Sequence, residues 1–131
     1  MPRKAYNSPS LKAIGPYSHA TDAQGLLFLS GQTPVDPATG KVVEGGVKEQ
    51  TLQCFKNLFQ VLKDAGSSPD EVQKVMVYLT DLPNDFPAMN EVYKEQFAEP
   101  YPSRTTVGVA SLPMGVKVEI EVIARRKNQV S

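Results

Sequence analysis

Arg104 and Thr106 share one side of an alternating stretch, Ser103 to Val109, and Glu119 lies in a second such stretch, Val116 to Ala124. An arginine fork binds a carboxylate through two parallel hydrogen bonds, and a glutamate can position or activate a water. If the two strands are neighbours, Arg104, Thr106 and Glu119 come onto one sheet face. They then either hold a small carboxylate beside a water or form a structural Arg–Glu pair. Tyr17 and Ser30 read as strand residues of an earlier hairpin, where a phenol and a hydroxyl can bond a small polar ligand or serve as ordinary strand residues. His19 has the chemistry of a general base but no identifiable orienting carboxylate, and reads as a strand-surface residue. Cys54 falls in a helical pattern with nothing nearby in sequence to lower its pKa, so it reads as a small packed hydrophobe.

Composition narrows the chemistry further. The chain has 131 residues, the length of one domain spanning 1–131, and its 14 Lys plus Arg are balanced by 14 Asp plus Glu. A zero net charge argues against nucleic acid or an anionic membrane as partner, because such partners call for clustered cations. The cluster Arg125-Arg126-Lys127 reads as a solubilising tail. No HExxH, paired CxxC, GxxxxGK[ST] or GxSxG motif is present. One His and one Cys are too few for a transition-metal site, and no metal is expected beyond Mg²⁺ held weakly by carboxylate oxygens. No run of about 18 apolar residues is available to span a bilayer. Met1 to Ser10 lacks the apolar core of a secretory signal, and a single cysteine cannot form an internal disulfide. The expectation is a reduced, cytoplasmic protein, from which a mature mitochondrial or other organellar form would not differ.

These residues need elements to position them. Leu26 to Leu29, bounded by glycines, predicts a short strand buried on both faces, paired with Tyr17 to Ala23 through a turn at Gln24-Gly25. Lys41 to Val43 predicts another short strand. Val47 to Ala65 carries Leu52, Phe55, Leu58, Phe59 and Leu62 at helical spacing, with Gly66 at the C-terminal cap position. Ser68-Pro69-Asp70-Glu71 predicts a single helical turn leading into a strand over Val72 to Leu79. Asn84 or Asp85 is the predicted cap of a second helix running from Phe86 or Pro87 to Phe97. In the last strand Val116, Val118, Ile120, Val122 and Ala124 make an apolar face opposite Lys117, Glu119, Glu121 and Ile123. The order ββ(β)αβαββ predicts an α+β fold, a mixed sheet with both helices on one face. The other face mixes apolar and charged residues, which predicts an oligomer that turns these faces inward.

Several segments in this order closely resemble the reactive-intermediate deaminase family, also called RidA or YjgF. They are Ile14-Gly15-Pro16-Tyr17-Ser18, Leu29-Ser30-Gly31-Gln32-Thr33-Pro34 with Asp36, and Gln50 and Asn57 on the first helix. Met89-Asn90-Glu91-Val92-Tyr93, Pro102-Ser103-Arg104, Leu112-Pro113 and Val118 to Ala124 complete the pattern. The resemblance implies a chorismate-mutase-like fold and a homotrimer whose sheets form a central barrel, with three ligand clefts between neighbouring subunits. It also implies hydrolysis of 2-imino acids or their enamine tautomers, such as 2-iminobutanoate and 2-iminopropanoate, to 2-keto acids and ammonia without a cofactor. Such imines are released by pyridoxal-phosphate enzymes, which the reaction protects.

By the same resemblance, Arg104 binds the substrate carboxylate and Glu119 attends the water. Tyr17, Ser30 and Gly31 line the cleft, and Phe86 and Asn90 are candidates for a wall supplied by a neighbouring chain. Thr106 stands where relatives have cysteine, which weakens any thiol mechanism, and His19 stands where glutamine is common. Two further readings remain open: a non-catalytic trimer that binds small carboxylates and regulates a partner, and a ribonuclease or translation inhibitor. The charge balance and the lack of an aromatic-basic face place the last of these third.

Overall fold

The computed structural model describes residues 2–127. Alternation of buried and outward residues in Val72–Leu79 (β6) and Val118–Arg125 (β8) creates the central pair of strands, which run antiparallel. β8 pairs on its other side with Leu26–Leu29 (β3), which forms a hairpin with Ala20–Ala23 (β2), flanked by a short strand Lys4–Tyr6 (β1). Ser103–Gly108 (β7) pairs parallel with β6 and closes a six-stranded sheet of order β1-β2-β3-β8-β6-β7. Val35–Asp36 (β4) and Lys41–Val42 (β5) form a separate two-stranded ribbon.

Gln24 and Gly25 both have positive φ, 54° and 83°, which is the backbone a two-residue hairpin turn needs. The first helix, Val47–Asp64 (α1), ends as expected at Gly66, whose φ is 81°. The second, Leu82–Lys94 (α2), starts four or five residues before the predicted Phe86 or Pro87 and includes Pro87. Leu82 explains the shift: its side chain packs against the end of the sheet at Gly108, where an added Cβ would meet Leu82 Cβ at 3.3 Å. The helix stops short of Phe97, which still stacks on Phe55, Phe59 and Tyr93.

Both helices cover one face of the sheet, where Leu27, Leu29, Val75, Val77, Leu79, Ile120 and Val122 meet Phe55, Leu58, Leu62 and Met89. Truncating Phe55, which is fully buried, to alanine would cost about 3–5 kcal/mol. The other face is open, so β3 is not buried on both sides as its apolar run predicts. Leu26 and Phe28 stand 40% and 42% exposed there.

Candidate functional site

Alternation along β8 sends Glu119 to the open face. The Gln32 and Ile120 backbones bond each other reciprocally, at 2.8 and 3.2 Å, and this draws Gly31 alongside Glu119. A Cβ on Gly31 would lie 2.2 Å from Glu119 Oε2, so the carboxylate rests on the bare Gly31 backbone. Tyr17, Ser30 and Met114 help line the adjoining cleft of about 290 Å³. Among the described residues the Glu119 carboxylate has no ion-pair partner. Burial, aided by the like charge of Glu121, pushes its carboxyl above the usual carboxylate range. Glu121 accepts a hydrogen bond from the Tyr78 hydroxyl, whose pKa is pushed up to about 12.

Tyr17 and Ser30 are not strand residues. Tyr17 lies in the loop before β2, and Ser30 follows β3. The Ser30 N–H donates to the His19 carbonyl at 2.9 Å and its hydroxyl to the Ser18 carbonyl at 2.7 Å, so Ser30 fastens the loop that carries Tyr17.

Arg104 lies on β7, the edge strand, and points under α2. Its Nη1 donates to Asn90 Oδ1 at 2.6 Å, and the guanidinium lies 4.5 Å from the Tyr93 ring centroid and 5.5 Å from that of Phe86. Phe86, Asn90 and Tyr93 are spaced i, i+4, i+7 on one stripe of the helix, and together they hold the planar fork by cation–π contact and one hydrogen bond. An open cleft of about 390 Å³ adjoins it, lined by Asn90, Tyr93, Lys94, Tyr101, Pro102 and Arg104. Thr106 follows on the same face, and its buried hydroxyl has no partner among the described residues.

The structure therefore brings together Tyr17, Ser30, Gly31 and Glu119 in one half, and Phe86, Asn90 and Arg104 in another. It does not join the halves. β6 lies between β7 and β8, and Arg104 is in register with Val75 while Glu119 is in register with Tyr78, which faces the other way. The expectation of one shared face across adjacent strands is corrected, and with it the structural Arg104–Glu119 pair. Phe86 and Asn90 contact Arg104 within one chain.

Tyr93 and Met114 escaped the sequence reading as site residues. Tyr93 had a signal in its helical spacing to Phe86 and Asn90, but that spacing reads equally as core. Met114 had none; it reaches the cleft through a left-handed backbone with φ of 60°.

His19 is buried rather than on a strand surface, and Cys54 is packed as expected, burial pushing its thiol well above the usual range. Among the described residues no cluster of three or more His, Cys, Asp or Glu is placed to hold a metal ion, and no helix is long and apolar enough to cross a membrane.

The chain matches the family described as Endoribonuclease L-PSP over residues 7–126. It belongs to that family, the RidA/YjgF family. It is 50% identical over 121 residues to a RutC family protein of Pyrococcus horikoshii, covering 92% of this chain and 94% of that one. It is 44% identical over 112 residues to the human protein named 2-iminobutanoate/2-iminopropanoate deaminase, covering 86% of this chain and 81% of the other. Among solved structures, that of E. coli TdcF with bound serine superposes with a TM-score of 0.86 at 41% identity, over 95% of this chain and 98% of that chain. The RidA-family architecture of two helices on a mixed sheet is thus shared by sequence and by fold.

Proposed function

We propose that this protein hydrolyses small 2-imino acids, such as 2-iminobutanoate and 2-iminopropanoate, and their enamine tautomers to 2-keto acids and ammonia. The observation that carries this reading is the unpaired, half-buried Glu119 carboxylate lying on the Gly31 backbone at the wall of a cleft. Burial raises its carboxyl above the usual carboxylate range, which suits a group that takes and returns protons. Identity to proteins named as deaminases supports the substrate class.

Because Arg104 and Glu119 face opposite ways within one chain, the reading includes a two-chain site in a homotrimer. One copy supplies Arg104 with Phe86, Asn90 and Thr106; its neighbour supplies Glu119 with Tyr17, Ser30 and Gly31. The exposed Leu26 and Phe28 belong to the face such an assembly would cover. Arg104 binds the substrate carboxylate through its fork. Glu119 takes a proton from water as the water oxygen bonds to the iminium carbon and the C=N π pair returns to nitrogen, and Glu119 then passes that proton to the nitrogen. The resulting carbinolamine loses its C–N bond, the nitrogen leaves as ammonia, and the hydroxyl proton returns to Glu119 as the ketone forms. An iminium carbon is already electrophilic, so positioning and proton transfer suffice and no cofactor enters.

A coupled assay tests this. A pyridoxal-phosphate dehydratase generates 2-iminobutanoate in the presence of semicarbazide, and keto-acid release is compared for wild type and Arg104→Ala. Faster release by wild type alone is the expected result. If neither protein competes with the trap, the enzyme reading falls, and binding of small carboxylates without turnover takes its place.

A further inference from the structure

His19 is the only imidazole in the chain and takes no part in the chemistry above. It lies buried just ahead of β2, at the centre of a set of hydrogen bonds from the N-terminal segment. The Ser8 N–H donates to His19 Nδ1 at 2.9 Å, and the His19 N–H donates to Asn7 Oδ1 at 3.0 Å. The Ser8 hydroxyl donates to the Asp64 carboxylate on α1, and Ser8 itself is buried. The Leu11 N–H then donates to the Ser8 carbonyl at 3.2 Å, closing a turn. Ser10, Leu11 and Lys12, just beyond this anchor, line a cavity of about 370 Å³ that also contains Tyr17 and Gly31. It adjoins the Glu119 cleft, with which it shares both of those residues.

We propose that His19 is a positioning residue: by accepting the Ser8 amide at Nδ1 it holds Ser8–Lys12 as a wall of the substrate cavity, and protonation of the ring releases that wall. The inference rests on the reading of this cavity as part of the substrate site, although the clamp can be measured without turnover. The neutral ring has one acceptor nitrogen, and Nδ1 uses it on Ser8; an imidazolium has two N–H donors and no acceptor, so it would set a donor against the buried Ser8 N–H. The titratable groups around the ring are few. Tyr17 stands edge-on with ring centroids 6.5 Å apart, and the Asp64 carboxylate on α1 is engaged by Ser8 Oγ and Gln60 Nε2. The end of β3 contributes the Ser30 N–H to the His19 carbonyl. Burial holds the imidazole below its usual value. A ring with a lowered native pKa binds its proton more readily once released, so the clamp is complete above about pH 6.5 and weakens as pH falls below it.

Three proteins test the proposal: wild type, His19→Ala and His19→Gln, the last keeping an acceptor oxygen for Ser8 without a titrating group. Hydrogen exchange of amides 8–12, corrected for intrinsic rates between about pH 5 and pH 8, reads the clamp. KM and kcat for the imine, together with the affinity for 2-oxobutanoate, read the wall. His19→Ala is expected to lose protection roughly five- to tenfold, the scale of one buried hydrogen bond, with a rise of similar size in KM rather than in kcat. His19→Gln restores both, and its protection and KM stay flat with pH while those of wild type worsen on acidification. Wild-type protection in His19→Ala overturns the clamp, and lost protection with unchanged KM and unchanged 2-oxobutanoate affinity overturns the positioning role. If His19→Ala does not fold, the pH profiles of wild type and His19→Gln decide, and identical profiles overturn the proposal. A wild type that binds 2-oxobutanoate but turns over no imine sinks the deaminase reading alone, and the affinity then scores the wall. A wild type that does not bind 2-oxobutanoate removes the site and the positioning role together.

Discussion

Arg104 and Glu119 project from opposite faces of the six-stranded sheet, because their partners on β6, Val75 and Tyr78, differ by an odd number of positions. They lie two strands and three residues apart, about 14 Å between Cα atoms. A four-carbon imino acid cannot bridge that distance through a packed sheet. If both groups act on one substrate, they come from different chains.

Complementation measures this directly. Arg104→Ala and Glu119→Gln should each be inactive alone, by at least about 100-fold. Mixed through reversible unfolding at equal amounts, they should recover about one quarter of the wild-type sites, since an intact site needs one copy of each kind. Mixed oligomers with no recovered activity would place both groups in a single-chain site and contradict the two-chain geometry.

Gly31 should tolerate alanine as a backbone but not as a neighbour of Glu119. Its φ lies outside the left-handed region, whereas its added Cβ would stand 2.2 Å from Glu119 Oε2 and force the carboxylate away. Gly31→Ala is therefore expected to keep its circular dichroism and oligomeric state while kcat falls about 100-fold, the scale of an ångström-sized misplacement. Wild-type kcat in this variant would show that the Glu119 position is not used.

The Glu119 carboxyl is raised by burial first and by Glu121 second, so its ionised form is destabilised in the folded chain. The sign follows from linkage. A carboxyl with a native pKa above its unfolded value favours folding at low pH, and that contribution is lost as pH rises through the native pKa. Near pH 7, Glu119→Gln should thus raise Tm while it abolishes turnover. The acid limb of kcat/KM should lie above the ordinary carboxylate range, and Glu121→Gln should move it down. A lower Tm in Glu119→Gln, or an acid limb that ignores Glu121, would show that the carboxylate is stabilised by something else.

The parity of these strands was legible in the sequence, but their order was not. Alternation in Val116 to Ala124 correctly separates Glu119 from Ile120, and the spacing in Val47 to Ala65 correctly bounds α1. Arg104 and Glu119 are on strands consecutive in the chain, which suggests pairing. The β6–α2–β7 crossover instead sets β7 parallel beside β6, and β8 returns into the gap between β6 and β3. The burial of His19 is hidden from the sequence for a related reason: its partner Ser8 lies eleven residues away in a segment with no periodicity, so nothing local announces it. The exposure of Leu26 and Phe28 reflects helices that cover one face only, a property of the whole sheet rather than of β3.

Cys54 provides a test of whether any thiol takes part. It is the only cysteine in the chain and fully buried, its Sγ 3.8 Å from the Val118 carbonyl, and burial pushes the thiol well above its usual range. Position 106 carries a threonine hydroxyl, and Cys54 is the only cysteine in the sequence, so the Arg104 half carries no nucleophilic sulfur. The thiolate is the reactive form, and here it is both scarce and sealed. N-ethylmaleimide should leave the folded protein unmodified and fully active, labelling Cys54 only as fast as the chain opens. Cys54→Ala should keep wild-type kcat/KM and lose about 1 kcal/mol of stability from the small void. Inactivation by the reagent at a rate faster than global unfolding would mean that α1 opens locally or that sulfur reaches the site, and hydrogen exchange across Val47–Asp64 separates the two.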